Sequence, residues 1–289
     1  MEIKKIAAHY RQYLARMIKQ STRSDYTKRL EMLVCYASMQ GITAIEDIDF
    51  TQFLEWVFIG RGVAPRTHNN YRTWFLSFCR WLRQQHYISG DPLLDVPPLK
   101  EPPKVRQPLP PSVLARVRDY LNERNKHYLL AVMMEYYCFI RPDELSNIRI
   151  GDIDAKAHAI YVRAEISKNG KAEMVGLNNA VLSLMRELHV LRSPKDWYLF
   201  SVRCRPGATK LNSRMFRERW ARLRKRLDLP KEYQFYSLKD SGIRDLANSE
   251  GIVIARDQAR HSSVAVTNKY LQGRDRPVHK ETIRFKGAL

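Results

Sequence analysis

Six residues between positions 141 and 270 of this chain carry the functional groups used on phosphate esters, and they come in a definite order. Arg141 lies in Phe139-Ile140-Arg141-Pro142-Asp143-Glu144-Leu145, directly after an apolar run. Lys168 lies in Ser167-Lys168-Asn169-Gly170-Lys171, Tyr236 and Lys239 share Tyr236-Ser237-Leu238-Lys239, and His261 sits in Arg260-His261-Ser262-Ser263. Tyr270 follows nine residues after His261. Moving a phosphodiester bond without a metal takes a nucleophile, cationic donors for the two non-bridging oxygens, and an acid for the departing 5′ oxygen. Arg suits the clamp because its planar fork reaches a phosphate bidentately. Taken singly, each residue has a bland explanation, since most tyrosines pack and most Arg and Lys are solvated. The ordered set, on a strongly basic chain, is what points to phosphate.

The elements that must position these residues read as two parts. A proline-rich stretch, 97–111, cannot form a helix or a central strand and reads as an extended, semi-rigid linker. Before it, residues 1–96 read helical. Ser21 or Thr22 is expected to cap a helix through Tyr26, Leu30 and Leu33, and Asp49 or Thr51 another through Phe53 and Leu54. Pro65 opens a long helix whose Tyr71, Trp74, Phe75, Phe78 and Leu82 recur at helical spacing and form a core stripe. Its polar face offers Arg66, Thr67, Asn70 and Arg72 to phosphates. After the linker, 112–289 begins with helices from Ser112 and through Tyr128–Ile140. A small antiparallel sheet is expected over 148–153, 159–166 and 172–177, with Asn169-Gly170 as a tight hairpin turn. Residues 214–226 form an amphipathic helix whose basic face carries Arg214, Arg217 and Arg222.

The bulk numbers agree with a nucleic-acid partner. Fifty Lys and Arg against thirty Asp and Glu give a formal charge of +20, the footprint of a protein that meets a polyanion. Four cysteines without a CxxC pair argue against a zinc ribbon or disulfide framework; three sit among apolar neighbours and read as core. The histidines show no metal-ligand spacing, so no metal and no cofactor is expected. No run approaches the roughly 18 apolar residues of a membrane span, and the chain reads as a soluble, cytoplasmic protein without a separate arm-binding domain ahead of its first helices.

The ordered residues resemble the tyrosine recombinase (phage integrase) family, of the mobile-element integrase type. Its pattern is an Arg in a G-L-R-x-x-E-L turn, a hairpin Lys, an H-x-x-R box, a His or Trp after a Gly, and a Tyr nine residues later. The likeness covers nearly the whole chain, including a T-x-x-x-Y…F-x-x-W-L rhythm in the N-terminal helices. It implies a mainly α fold with a small antiparallel β-sheet (α+β): a helical, SAM-like core-binding domain and a tyrosine-recombinase catalytic domain. One box departs from the pattern, with Tyr236 and Lys239 where the family has His and Arg. Tyr can hydrogen-bond a phosphate oxygen but is no cation at neutral pH, and Lys keeps charge without the fork. Arg244 is five residues beyond Lys239, roughly 140° around a helix of about 3.6 residues per turn, and is poorly placed to replace it.

The resemblance implies a mechanism. Arg141, Lys239 and His261 would hold the scissile phosphate, Lys168 would protonate the leaving 5′ oxygen, and Tyr270 would become a 3′-phosphotyrosine. Double-stranded DNA would be the substrate, gripped by both domains as a C-shaped clamp and recombined by a homotetramer on paired sites, with host DNA-bending or directionality factors as further partners. The tail 273–289 is expected to dock on a neighbouring protomer. The alternatives are a catalytically impaired DNA-binding protein on the same scaffold, or a topoisomerase-like relaxing enzyme.

Overall fold

The computed structural model describes residues 2–90, 96–102, 107–271 and 284. The expected docking tail lies, save residue 284, outside them. The chain divides into two compact units, 1–103 and 104–289. Each has its own apolar core. Among the described residues no helix is long and apolar enough to cross a membrane.

The first unit is helical: α1 Ile3–Met17, α2 Gln20–Met39, α3 Phe50–Glu55 and α4 Pro65–Gln84. Helix α1 buries Ile3, Ile6, Tyr10 and Leu14, spaced at three and four residues as an amphipathic helix requires. Asp49 caps α3, accepting the Thr51 and Gln52 N–H groups at 2.9 and 3.0 Å, and Pro65 occupies the first turn of α4. The expected aromatic stripe holds Trp74, Phe75 and Phe78 in the core, where Phe78 meets Tyr10 at 4.7 Å between ring centroids. The cap of α2 differs from expectation. Lys19 takes the extended N-cap conformation, so Ser21 and Thr22 lie inside the helix. The polar face of α4 also serves its own chain. Asn69 exchanges two 2.8 Å hydrogen bonds with the Leu99 backbone, and Arg72 donates to Val96 O, pinning the extended segment 96–101 along the helix. Arg66, Thr67 and Asn70 remain exposed.

The second unit runs α5 Pro111–Arg124, α6 Lys126–Tyr137, α7 Pro142–Leu145, β1 Ile153–Asp154, β2 Ala159–Val162, β3 Glu173–Gly176, α8 Asn179–Glu187, α9 Arg214–Arg226, α10 Ser237–Glu250, α11 Ile252–Ala259 and α12 Val264–Leu271. The sheet is antiparallel in the order β1-β2-β3, with Ile160 opposite Val175. Two expectations about it need correction. Residues 148–151 pair with the 195–199 segment instead of the sheet, through Ile150 N to Trp197 O and Leu199 N to Ile148 O, both 2.9 Å. The Asp152 carboxylate accepts the Arg149 N–H at 2.7 Å, which closes a short 3₁₀ turn where a strand would continue. Nor is the hairpin tight: β2 ends at Val162 and β3 begins at Glu173, so Asn169-Gly170 is one turn within a longer loop. Gly170 has the positive φ of +70° that such a turn requires.

Helices α6 and α10 approach so closely that only a glycine fits. A Cβ on Gly242 would stand 1.8 Å from Tyr136 O and 2.7 Å from Phe139 Cε1. Gly242→Ala is therefore expected to lower stability by about 1–3 kcal/mol or more through overpacking, read as a fall in the urea midpoint. An unchanged midpoint would show that the two helices separate freely.

Candidate active site

The site is built around one carboxylate. Pro142 opens α7 and keeps Arg141 extended at its N-cap, with φ −68° and ψ 150°. Three residues on, the Glu144 side chain turns back: Oε2 accepts the Arg141 N–H at 3.1 Å and Oε1 accepts Arg141 Nη1 at 2.9 Å. Oε1 also accepts the Lys168 N–H at 3.2 Å, and Oε2 pairs with Arg260 Nη2. Glu144 is 1% exposed. Burial pushes its carboxyl up, but the Arg260 and Arg141 charges outweigh this and hold it below the ordinary carboxylate value. One buried anion thus ties α7, the β2–β3 loop and the α11–α12 corner together.

Lys239 enters from α10 with no exposed surface, and its Nζ donates to Phe139 O at 2.5 Å. Phe139 sits just before Arg141 in the left-handed region, φ +53°, which turns its carbonyl toward that ammonium. Burial, reinforced by the Arg141 charge, pulls Lys239 down to about 7. Glu135 of α6 is wholly buried, and both carboxyl oxygens lack a hydrogen-bond partner among the described residues. Burial pushes it well above the ordinary range, against the pull of Lys239. A carboxylic acid kept protonated beside a depressed ammonium is the direction both shifts indicate.

Tyr236 stands at the N-cap of α10, half-buried. Burial and the neighbouring Tyr270, to which it hydrogen-bonds, push its hydroxyl upward. Tyr270, on α12, is 9% exposed and stacks on the His261 ring, centroids 5.1 Å apart with planes at 25°. His261 Nδ1 is 2.9 Å from Thr267 Oγ1, which lies on α12 about one turn before Tyr270. The structure therefore gathers Arg141, Tyr236, Lys239, His261 and Tyr270 in one region of the second unit. Lys168 joins it by its backbone, with its side chain exposed. Of the expected DNA-contacting residues of this unit, Arg214, Arg217 and Arg222 lie exposed on α9, whose other face buries Phe216, Trp220 and Leu223. Arg214 pairs with Glu218 at 2.7 Å.

Sequence reasoning missed Glu135 and Arg260. Nothing local marks Glu135, which looks like any acidic residue of a helix. Arg260 had a signal: it occupies the place before His261 where the family pattern has Gly. Arg244, already a poor geometric substitute for the box arginine, is engaged with Asp245 Oδ1 through Nε and Nη2, at 2.9 and 2.7 Å.

The phage integrase family model matches residues 108–276, more than half of the chain. The chain belongs to that family. Among its relatives is a protein described as a tyrosine recombinase, from Thermosipho africanus (strain TCF52B). It is 24% identical over 285 residues, which cover 94% of this chain and 96% of the relative. Solved integrases share the fold. A lambda integrase dimer bound to a COC′ core site superposes with a TM-score of 0.76 at 18% identity, covering 96% of this chain and 80% of that one. A lambda integrase tetramer bound to a Holliday junction gives 0.76 at 19% identity, covering 96% and 79%. The family member described here thus has the expected mainly α fold with a small antiparallel sheet.

The Lys239 environment makes a prediction that needs no DNA. In the unfolded chain its ammonium titrates near 10.5, in the folded chain near 7, so between these values the unfolded chain binds the extra proton and stability rises with pH. Relative to Lys239→Met, the wild type should gain stability as pH rises from about 7 to 10.5, with no further gain above. Urea midpoints of both proteins at several pH values would show it; a constant difference would mean that Lys239 titrates normally.

Proposed function

We propose that this integrase-family chain is a site-specific recombinase that cuts and rejoins duplex DNA through a 3′-phosphotyrosine at Tyr270. The observation that carries the reading is the seating of Tyr270 against His261 and Tyr236, in the unit that also holds Arg141 and Lys239. In this reading Arg141 and His261 hold the non-bridging oxygens, with Lys239 adding charge from beneath. Tyr236 orients the Tyr270 hydroxyl. As Tyr270 Oη bonds to phosphorus it releases its proton to solvent, the bond to O5′ breaks, and Lys168, on its exposed loop, supplies the proton that O5′ takes up. The phosphotyrosine stores the bond energy, so rejoining takes no nucleotide cofactor. The exposed cations Arg66, Arg214, Arg217 and Arg222, with Thr67, Asn70 and Arg72, would meet the phosphate backbone. By analogy with the lambda integrase assembled as a tetramer on a Holliday junction, the working form is a homotetramer on paired sites, with host DNA-bending or directionality factors as further partners and the nucleoid as its place of work.

A second reading, a DNA-binding protein without turnover, draws support from Lys239, which is fully buried and bonded to a backbone carbonyl. The two readings separate on a nicked suicide duplex built on a site selected by binding from a random-sequence pool. The recombinase forms a covalent protein–DNA band. Tyr270→Phe abolishes the band while leaving folding and affinity nearly unchanged, and Arg141→Ala slows its formation by about 10²–10³. A wild type that binds its site yet never forms the band decides for the second reading.

Affinity should also fall steeply with salt, the log–log slope changing by roughly 0.9 for each phosphate contact removed by mutation. Arg217→Ala and Arg222→Ala would each flatten the slope by about that amount. A wild-type slope near zero would remove nucleic acid as the main partner.

A further inference from the structure

Arg260 ends α11 in the left-handed conformation, φ +56° and ψ +47°. A side chain is strained there, and glycine is the residue that adopts it freely. The family pattern has that glycine; this chain has the largest cation instead. The side chain is not turned out to water. It is 2% exposed, pairs through Nη2 with Glu144 Oε2, and lies with Nη1 3.8 Å from Glu173 Oε2. Its Nε and Nη1 are buried without a hydrogen-bond partner among the described residues. A strained, buried guanidinium with idle donors is costly to a fold, and such features persist where they serve a site.

The charges explain what it does. Arg141 and Glu144 alone form a neutral pair, which offers a phosphate little net attraction. Lys239, standing where the family has its second arginine, is drawn toward the neutral form by burial. Arg244 is occupied by Asp245. With Arg260 present, Glu144 is shared between two guanidiniums, so the buried trio is net positive, offset in part by Glu173, which is 30% exposed and 3.8 Å from Arg260 Nη1. Arg260 also borders a cavity of about 560 Å³, whose wall holds Lys171 and His261 together with the carboxylates Glu173 and Asp257.

We infer that Arg260 replaces, from the corner before His261, the second permanent cation that the Tyr236-x-x-Lys239 box lacks. This rests on reading the site as a phosphoryl-transfer centre. Arg260 is a positioning residue: it offsets the Glu144 charge, so that the Arg141 charge acts on the phosphate. The box and the corner have exchanged roles, the box losing an arginine and the corner gaining one.

The test uses the full chain and the nicked duplex described above, with adduct formation followed in single turnover. Arg260→Gly, which relieves the backbone strain but removes one partner of Glu144, should remain folded at the assay temperature and bind DNA but form the adduct about 10²–10³ more slowly. Arg260→Lys should be faster than Arg260→Gly, because charge is kept. Combining Arg260→Gly with Lys239→Arg, which restores both family residues, should regain at least a tenfold part of the loss. The decisive arm replaces one non-bridging oxygen of the scissile phosphate by a methyl group, removing one negative charge. On that substrate Arg260→Gly should match the wild type, since one cation fewer is needed. If Arg260→Gly cleaves the ordinary phosphate at the wild-type rate, or is equally slow on both substrates, the inference is overturned. A wild type that forms no adduct removes the recombinase reading itself, and this inference with it.

Discussion

The buried Glu144 carboxylate is the constraint on which the second unit's chemistry rests. A charge at 1% exposure is tolerated only when it is paired and hydrogen-bonded. Glu144 meets that demand by drawing in the Arg141 backbone and side chain, the Lys168 N–H and the Arg260 guanidinium. Those partners belong to α7, to the loop between β2 and β3, and to the corner joining α11 and α12. Desolvation therefore sets the geometry: each segment must come to the anion, because an unpaired charge in that place would cost several kcal/mol. The cations are positioned as a by-product of keeping one anion satisfied.

A second constraint acts from α10. Gly242 lets that helix press against the Tyr136 carbonyl of α6, and the same close packing buries Lys239 beside Glu135 and Phe139. An ammonium in so dry a place is held by a single carbonyl and shifts toward neutrality. The fold has thus made the box lysine a weak cation, while the corner carries an arginine paired with Glu144. The positive field of the site rests on guanidiniums, and the lysine supplies a group whose charge responds to pH.

Tyr270 is held differently. Its helix does not join the main apolar core but a small separate cluster of Phe139, Ile243, Ala255, Ala259 and Tyr270 itself. Elements secured by few buried apolar contacts are drawn from the low-stability end of a fold. A tyrosine on such an element is seated by local contacts with His261 and Tyr236 without being locked to the rest of the unit.

Much was legible in the residues alone. The core stripe of α4, the Asp49 cap, the Pro65 start and the basic helix 214–226 follow from spacing and capping chemistry, which act over three or four residues. The order from Arg141 to Tyr270 was visible as well, since it is a property of the chain. Local rules failed at two places. Asp152, held by its own turn and by Arg163, ended the strand expected over 148–153, and Ser21 and Thr22 yielded the cap to Lys19. Tertiary structure alone decided that Lys239 is buried against a carbonyl 100 residues away, and that Arg260 meets Glu144 across 116 residues. The reason is physical. Periodicity and capping are settled between near neighbours, whereas burial and the pairing of charges depend on which remote segments pack together. Periodicity says nothing of that.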